Sequence, residues 1–276
     1  MHDLEFTPHS ASVKELERVG AGRQAEIYVW AGSSVLKLFR RPEDCATAQK
    51  EAAVMYALES TDIPMPRILG TVSIEQRPGI VMERLDGPDQ LSLLGRKPWS
   101  IWRAATNLAR LHAQLHSTVA PEQLPALRAA VKEEIARSDD VPSDCKRLAF
   151  DALDHLPDGA QVCHWDLHPG NVIETIDGLK VIDWTSARRG DALADVARTL
   201  LILRGGAVPP EAPFLVRRLT AIGRAVLSRR YLHEYRRLRP FQDGDLELWG
   251  VVSAASRLSY GLVSEREQLL ALLRNA

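Results

Sequence analysis

The chain has 276 residues, 45% of them hydrophobic, which is enough for one large domain or for two lobes with a sizeable core. Thirty-five lysines and arginines nearly balance 36 aspartates and glutamates, and the net charge of −1 excludes a bulk attraction to nucleic acid or to an anionic membrane. The balanced charge therefore predicts a small-molecule partner. Three widely spaced cysteines exclude a disulfide framework and a cysteine-rich zinc site, which predicts a reducing, cytoplasmic location.

The N-terminal segment MHDLEFTPHS carries acids and lacks the apolar core of a signal peptide. No uncharged apolar run in the sequence approaches the length of a membrane span. We therefore expect a soluble chain with no membrane partner.

The first third of the chain has the composition of strands around one helix. Gly20 and Gly22 lie between two stretches of strand character. In residues 33–39, Val35, Lys37 and Phe39 alternate with Leu36 and Leu38, which predicts a hairpin followed by a third strand. The stretch from Pro42 has acids in its first turn and apolar residues at helical spacing, so it predicts a helix. Two more strands follow, and we place their connecting turn at the Pro-Gly pair after Arg77.

After Pro88 the pattern becomes mostly helical. Residues 99–118, 121–137 and 143–156 have helical periodicity, and helices resume at Asp191 and continue toward the C-terminus. Between them, the runs NVIET and GLKVIDW are joined by an Asp-Gly turn, which is typical of a tight hairpin. Four aromatic residues fall at helical positions, and we expect most of them in the core: Trp99, Trp102, Trp249 and Tyr260.

One polar motif lies between the helices and this hairpin. His164, Asp166 and Asn171 form the pattern H-x-D-x-x-x-x-N, and Asp183 follows across the hairpin. Phosphoryl transfer needs a carboxylate that receives the proton of an attacking hydroxyl, and oxygen ligands that hold Mg²⁺ against the phosphates. The motif therefore predicts Asp166 as the catalytic base, with Asn171 and Asp183 as the metal ligands.

Residues in the first third of the chain fit the same chemistry. Lys37 lies mid-strand between positions expected to be buried, where a lysine is unusual unless it is paired, and Glu51 on the following helix is a candidate partner. Such a lysine binds nucleotide phosphates while the glutamate orients it. Gly20 and Gly22 let backbone amides approach a phosphate, but they also fit an ordinary hairpin turn.

The histidines of the motif allow a second interpretation. His164, Asp166 and His168 form an H-x-D-x-H cluster, as in metal-dependent hydrolases. We rank it second because no further cluster of metal spacing follows it and because it leaves Lys37 and Glu51 unexplained. We expect His164 to be a structural residue beneath the loop, whereas His168 either orients nucleotide or substrate or bonds the Pro-Gly turn.

Two further histidines, His112 and His116, are four residues apart on a predicted helix and so share a face. The intervening residues lack the glutamate of a zinc-binding HExxH motif. We expect core or capping roles for both.

The motif HWDLHPGN followed by VIDW resembles the signature of the aminoglycoside phosphotransferase and choline kinase superfamily. The resemblance covers nearly the whole chain, from the glycine pair near residue 20 through MERLDG and LARLHAQLH to GDALADVA. It implies an α+β, bilobal protein-kinase-like fold. Residues 1–86 would form a small antiparallel-sheet lobe with one helix, and residues 87–276 a larger, mostly helical lobe with the catalytic loop and the acceptor pocket.

The resemblance implies a phosphotransferase that moves the γ-phosphoryl group of ATP or GTP, with Mg²⁺, to a hydroxyl of an antibiotic or metabolite. In that role Asp166 would be the catalytic base. Asn171 and Asp183 would hold Mg²⁺, and Lys37 with Glu51 would anchor the phosphates.

Two further roles follow from the resemblance, together with two departures from the family pattern. The backbone of Glu83 and Leu85 would contact adenine, and Asp195 would brace the catalytic loop from the next helix. Ala25 stands where kinases have the third glycine of their loop, and Trp165 stands where many relatives have a small residue. Neither departure removes a catalytic group.

The charge of the C-terminal region bears on the acceptor. From Ala207 onward, eleven arginines and no lysine face seven acids, an excess of four positive charges, which favours a neutral or mildly anionic hydroxyl compound over a polycation. A catalytically silent nucleotide-binding module would share the fold, but the intact catalytic set argues against it. A protein kinase is disfavoured because no extended activation segment separates Asp183 from Asp191.

Overall fold

The computed structural model describes residues 5–205 and 213–275, which divide into two compact units. The N-terminal unit comprises Met1–Pro88 and Ile173–Ser186, and the helical unit comprises Asp89–Val172 and Ala187–Ala276. The hairpin after the catalytic motif therefore belongs to the N-terminal unit. A sheet-based part and a mostly helical part confirm the predicted α+β fold class.

The elements in the described ranges are these, in chain order. The strands are β1 (Thr7–Pro8), β2 (Arg18–Ala21), β3 (Ala25–Val29), β4 (Ser34–Phe39), β5 (Ile68–Ile74), β6 (Arg77–Glu83), β7 (Gln161–Cys163), β8 (Val172–Thr175), β9 (Gly178–Val181) and β10 (Arg188–Gly190). The helices are α1 (Cys45–Leu58), α2 (Gln90–Arg96), α3 (Ile101–Ser117), α4 (Leu127–Arg137), α5 (Ser143–His155), α6 (Ala192–Arg204), α7 (Phe214–Leu238), α8 (Asp243–Leu258) and α9 (Val263–Arg274).

The N-terminal unit is built on a sheet with the strand order β1-β5-β6-β4-β3-β2. Its pairs are antiparallel except that of β1 with β5. Alternation along β4 buries Leu36 and Leu38 in an apolar cluster with Ile74, whereas Lys37 projects from the other face, where α1 packs. The sheet thus places the Lys37 side chain against α1 rather than in solvent.

The predicted Pro-Gly turn between β5 and β6 is wrong. The chain reverses at Glu75 and Gln76, whose φ values of 49° and 65° are left-handed, and Pro78 and Gly79 lie inside β6. A Cβ on Gly79 would lie 2.7 Å from the Leu36 side chain, so glycine serves close packing there. Pro78 pairs with β5 and lies outside the β4 ladder, a position where a missing N–H is tolerated.

An apolar cluster in the helical unit is shared by α4, α5, α6, α8 and α9, with Val131, Trp165, Trp249 and Val252 fully or almost fully buried. A two-stranded ladder of β7 with β10 lies beside it. The sequence did not indicate these strands, because three residues are too few to show a period of two. Along residues 5–205 and 213–275, no helix is both long and apolar enough to cross a membrane.

The expectation that most of the four helical aromatic residues are core is wrong. Trp249 is 1% exposed, but Trp99 is 73%, Trp102 57% and Tyr260 40% exposed. Trp99 lies in a 3-10 turn before α3, and Trp102 falls off the stripe of α3 that begins at Ala104 and faces the core. Tyr260 follows the end of α8 at Leu258. Helical periodicity therefore identified neither the exact ends of these helices nor the buried face of α3.

Candidate active site

An ion pair joins β4 to α1 in the N-terminal unit. The Nζ atom of Lys37 lies 2.7 and 2.8 Å from the two carboxylate oxygens of Glu51, which is 1% exposed. Burial opposes the charged ammonium, but the carboxylates of Glu51 and Asp183 outweigh it and raise the pKa of Lys37 above its usual value. Lys37 is therefore a fixed cation at neutral pH.

Asp183 joins this ion pair from the turn after β9. Its Oδ1 accepts hydrogen bonds from Lys37 Nζ and from Thr185 Oγ1, both at 3.0 Å, and its side chain is 45% exposed. Thr185 Oγ1 also lies 2.7 Å from Glu51 Oε2. Lys37 thus contacts two carboxylates, those of Glu51 and Asp183. Asp183 has a left-handed φ of 65°, a strained conformation that is common at functional sites.

Thr185 was not identified from the sequence. Its hydroxyl bridges the two carboxylates of the cluster, a role that only the folded chain reveals. The one available signal was its position two residues after Asp183 in IDWTS.

In the helical unit, Asp166 lies on a loop that begins after β7. Two side chains of this loop form hydrogen bonds with the backbone of Asp166. Its N–H donates to His164 Nδ1 at 3.3 Å, and its carbonyl accepts from Asn171 Nδ2 at 2.9 Å. The Asp166 side chain is 34% exposed, and His168 Nε2 lies 4.0 Å from its Oδ2. The backbone is thus fixed while the carboxylate stays accessible, which suits a general base.

Asn171 and His168 complete this loop. The Asn171 side chain is nearly buried, and its amide nitrogen donates to the Asp166 carbonyl. Its amide oxygen is therefore the atom suited to bind a cation. His168 accepts the Gly170 N–H at 3.0 Å through Nδ1. A Cβ on Gly170 would lie 2.8 Å from the His168 ring, so glycine is needed for this close turn.

Asp195 supports the loop from the first turn of α6. Its Oδ2 accepts the His164 N–H at 2.6 Å, and its Oδ1 accepts the Trp165 N–H at 2.8 Å. Burial alone would raise the pKa of this carboxyl, but His112 and hydrogen bonds to His112 and His116 hold it well below its usual value. Asp195 is therefore an ionised acceptor beneath the loop, although it is fully buried.

Two histidines of α3 surround Asp195. His112 Nε2 lies 2.9 Å and His116 Nε2 3.4 Å from its Oδ2, and the Nδ1 atoms lie 2.6 and 2.7 Å from the hydroxyls of Tyr231 and Tyr235. Burial and the neighbouring His112 lower the pKa of His116 to about 3, so this ring is neutral. Both residues have the core role expected from the sequence.

The ligand atoms of Asp195, His112 and His116 are close enough together to hold a metal ion. Within residues 5–205 and 213–275, no other group of His, Cys, Asp and Glu side chains meets this condition. The Asp195 carboxylate is already used by two loop amides, so a hydrogen-bond network accounts for this arrangement. The H-x-D-x-H set of the loop forms no such group within the same residues. This weakens the metal-dependent hydrolase interpretation.

The glycine pair and the strand end have more limited roles. Gly20 lies in β2 opposite Ile27, and the Gly22 N–H donates to the Ala25 carbonyl at 2.8 Å, so the hairpin already uses that amide. Glu83 is the last residue of β6, and Leu85 follows two residues later as a half-buried residue.

The structure therefore brings the predicted site residues together in two groups. Lys37, Glu51 and Asp183 form one cluster in the N-terminal unit. Asp166 and Asn171 form one hydrogen-bonded loop in the helical unit.

The model of the phosphotransferase enzyme family matches residues 15–241. No curated protein sequence matches the chain significantly.

Several solved structures share its fold. A thermostable mutant of aminoglycoside phosphotransferase APH(4)-Ia is 16% identical with a TM-score of 0.67, over 95% of this chain and 94% of its own. APH(3'')-Id from Streptomyces rimosus is 22% identical with a TM-score of 0.55, over 87% and 92%. A putative fructosamine-3-kinase from Haemophilus somnus is 15% identical with a TM-score of 0.59, over 94% and 90%. At these identities the similarity shows the fold alone.

Proposed function

This chain belongs to the phosphotransferase enzyme family, and we propose that it transfers the γ-phosphoryl group of ATP or GTP to a hydroxyl of a small antibiotic or metabolite. It is a small-molecule kinase with an alcohol group as acceptor. The observation that carries the proposal is the ionic cluster of Lys37 with Glu51 and Asp183 in the N-terminal unit. The helical unit adds a catalytic motif whose backbone is fixed by hydrogen bonds. The nucleotide, the metal and the acceptor are the parts that need experiments.

Lys37 would anchor the nucleotide phosphates. An ammonium group has three N–H donors, and here all three find carboxylate oxygens, two on Glu51 and one on Asp183. Glu51 is buried, whereas Asp183 is partly exposed, so a phosphate oxygen would replace Asp183 as the third acceptor. Nucleotide binding would thereby release the Asp183 carboxylate for a cation.

Asn171 and Asp183 would hold Mg²⁺, which when bound neutralises charge on the transferred phosphate. Carboxylate and amide oxygens are the hard ligands that this ion prefers. The partly exposed Asp183 carboxylate and the amide oxygen of Asn171 are both groups of this kind. We infer no ligand role for the histidines of the loop.

Asp166 would receive or orient the proton of the acceptor hydroxyl. Its hydrogen bonds to His164 and Asn171 involve only backbone atoms of Asp166, so the carboxylate keeps its acceptor capacity for the substrate. A positioned base of this kind contributes about 10²- to 10⁴-fold to a rate.

The adenine or guanine base would bind at the end of β6. The Glu83 N–H donates to the Arg67 carbonyl at 2.9 Å, so Glu83 would contribute its carbonyl and Leu85 its N–H. Among structural neighbours, APH(4)-Ia was solved with ADP and hygromycin B, and APH(2'')-IIIa with GDP and kanamycin. Both purine nucleotides therefore belong in the test.

We propose a neutral or mildly anionic acceptor. The excess of arginine toward the C-terminus includes one residue of α8, Arg257. Arg257 pairs with Glu265, and its positive charge also reaches Asp166. A polycation would be repelled by such a site.

The proposal is tested by measuring acceptor-dependent release of ADP or GDP across a set of hydroxylated metabolites and antibiotics. Kanamycin and hygromycin B represent polycations, and simple polyols and hydroxy acids represent the other classes. We expect release with at least one acceptor, dependent on Mg²⁺, and the phosphate ester should appear in the mass spectrum of the product. The Asp166→Asn variant serves as the control that binds nucleotide without transferring phosphate.

Two other outcomes would replace this proposal. Tight nucleotide binding without transfer to any acceptor would identify a catalytically silent module. Stoichiometric zinc or another transition metal in the purified protein, found by elemental analysis, would favour the hydrolase interpretation instead.

A further inference from the structure

The tryptophan of the catalytic loop is fully buried against two guanidinium groups. The Cζ atoms of Arg198 and Arg188 lie 5.2 and 5.4 Å from the centroid of the Trp165 ring, which is 0% exposed. The φ of Trp165 is +65°, a left-handed value that a bulky residue adopts only where its surroundings impose it. Trp165 precedes Asp166, so whatever holds this ring also holds the backbone that carries the Asp166 side chain.

The two arginines differ in how their charge is balanced. Arg188 forms an ion pair with Glu134. Arg198 is 1% exposed, and within the described ranges it contacts no carboxylate: its Nη1 donates to the Ser253 carbonyl at 3.4 Å, and its Nε has no hydrogen-bond partner. A buried cation without a counter-ion is costly, so Arg198 needs an explanation other than filling space.

Aromatic rings take the place of the missing counter-ion. The Arg198 guanidinium lies over Trp165 and also 4.9 Å from the centroid of the Tyr260 ring. Burial lowers the pKa of Arg198, and the nearby Tyr260 and Asp166 oppose this effect. A planar, delocalised cation can stack on aromatic rings in a way that an ammonium group cannot.

Arg198 also lies on the helix that already supports the loop. It follows Asp195 by three residues on α6, so the two side chains share a face of that helix. Asp195 holds the backbone of Trp165 through its N–H, and Arg198 holds the ring. The strained residue is thus fixed at two points from one rigid element.

We propose that Arg198 is a positioning residue for phosphoryl transfer, which acts by stacking on Trp165 and so keeps the catalytic loop in the bend that directs Asp166. The inference rests on the role proposed above for Asp166. Arg198 does not contact substrate in this role. Its charge also acts on Asp166 directly, whereas its effect on the shape of the loop passes through Trp165.

The test combines amide hydrogen exchange with steady-state kinetics on the full chain. In Arg198→Met, we expect amides of residues 160–172 to exchange about tenfold faster, while exchange in α9 stays unchanged. We expect kcat to fall by about 10- to 100-fold at saturating substrate, with KM for the nucleotide within about threefold of wild type. Arg204→Met, an exposed arginine of the same helix, is the matched control and should change neither measurement.

Three variants separate positioning from general stability. Arg198→Lys keeps the positive charge but lacks the planar guanidinium group. It should therefore retain more exchange protection and a higher kcat than Arg198→Met, but less than wild type. Trp165→Leu should reproduce the loss in kcat, and the double variant with Arg198→Met should lose no more than the worse single one. Additive losses, an unchanged loop exchange rate, or faster exchange spread over the whole helical unit would overturn the proposal.

The exchange measurement decides the inference even if no acceptor is phosphorylated, so its failure and that of the proposed function are distinguishable. If Arg198→Met does not fold, Tyr260→Leu removes one aromatic partner of Arg198 at a partly exposed site. It should speed loop exchange by about threefold. Wild-type loop exchange in that variant would also overturn the proposal.

Discussion

Asp166 has a backbone that is fixed on both sides and a carboxylate that is partly exposed. Asp166→Asn removes the base but keeps the size of the side chain, so nucleotide affinity should stay nearly unchanged. Turnover should fall by about 10²- to 10⁴-fold, the usual contribution of a positioned base. Stopped-time assays of ADP or GDP release measure this, with the exposed Asp177→Asn as control. A variant as active as wild type would exclude the assigned role.

Lys37 allows a second prediction, about the nucleotide alone. Lys37→Met removes the ammonium from a cluster with two carboxylates, so repulsion replaces attraction at the position proposed for the phosphates. The Kd for ATP should rise by about 10- to 100-fold, since a hydrogen bond to a charged group contributes roughly 1.5–3 kcal/mol. Titration calorimetry measures the change, and the exposed Lys14→Met should bind as wild type does. Equal affinity in both variants would mean that Lys37 does not contact phosphate.

His116 makes the stability of the protein depend on pH. Its pKa is about 3 in the fold, because of burial and of His112, and near its ordinary value of 6.5 when the chain is unfolded. As pH falls below 6.5, the unfolded chain takes up a proton that the folded chain refuses. The free energy of unfolding should therefore fall by about 1.4 kcal/mol per pH unit from this residue, down to about pH 3.

Urea denaturation of wild type and of His116→Gln measures this effect, because glutamine retains a donor toward Asp195 but does not titrate. From about pH 6 to about pH 4, the variant should lose stability less steeply, by about one proton. Asp195 titrates well below its usual range and so adds little slope in this window. Parallel curves would show that His116 is protonated in the folded protein.

The sequence predicted which residues meet at the site better than it predicted how they are held. The unusual position of Lys37 inside a strand required a partner, and Glu51 is that partner. Thr185 was missed because a hydroxyl that bridges two carboxylates has no pattern of its own. The helical spacing of His112 and His116 gave their shared face, but their common contact with Asp195 depends on how separate helices pack.

At the scale of elements, replacing either of two glycines by alanine should change the free energy of unfolding, in opposite directions. A Cβ on Gly87 would lie 1.9 Å from the Glu174 carbonyl oxygen, next to a hydrogen bond from Glu174 to Pro88. Gly87→Ala should therefore lower the free energy of unfolding by about 2–4 kcal/mol. Gly250 lies inside α8 with open space around it, so Gly250→Ala should raise the free energy of unfolding by about 0.5–1 kcal/mol. Urea titrations of both variants test the pair, and a stable Gly87→Ala would contradict the described packing.

The elements that the sequence predicted well are those with several repeats of their period or a strong turn signal. The long α3 and the β8–β9 hairpin with its Asp-Gly turn are of this kind. The turn at Glu75 and Gln76 was missed because its left-handed residues are not glycines, and a nearby Pro-Gly pair gave a false signal. The β7–β10 ladder depends on pairing across the helical unit rather than on local sequence.

At the scale of the whole molecule, chain order and structural unit do not coincide. The hairpin of β8 and β9 follows the catalytic loop in sequence but packs with the N-terminal unit, where the Val181 N–H donates to the Pro64 carbonyl at 2.7 Å. It also brings Asp183 to Lys37 and Thr185 to Glu51. A boundary drawn along the sequence, near residue 86, cannot represent this return of the chain.

This arrangement predicts how the N-terminal unit behaves when it is isolated. A fragment of residues 1–88 lacks the hairpin, so buried Glu51 loses the hydroxyl of Thr185, and Lys37 loses Asp183. The fragment also loses the hydrogen bond from the Val181 N–H to the Pro64 carbonyl. Loss of these contacts lowers stability, so this fragment should not unfold cooperatively in thermal circular dichroism. Joining it through a flexible linker to residues 172–186 restores these contacts and should restore a cooperative transition. A fragment 1–88 that melts as sharply as the linked form would show that the hairpin contributes little to the unit.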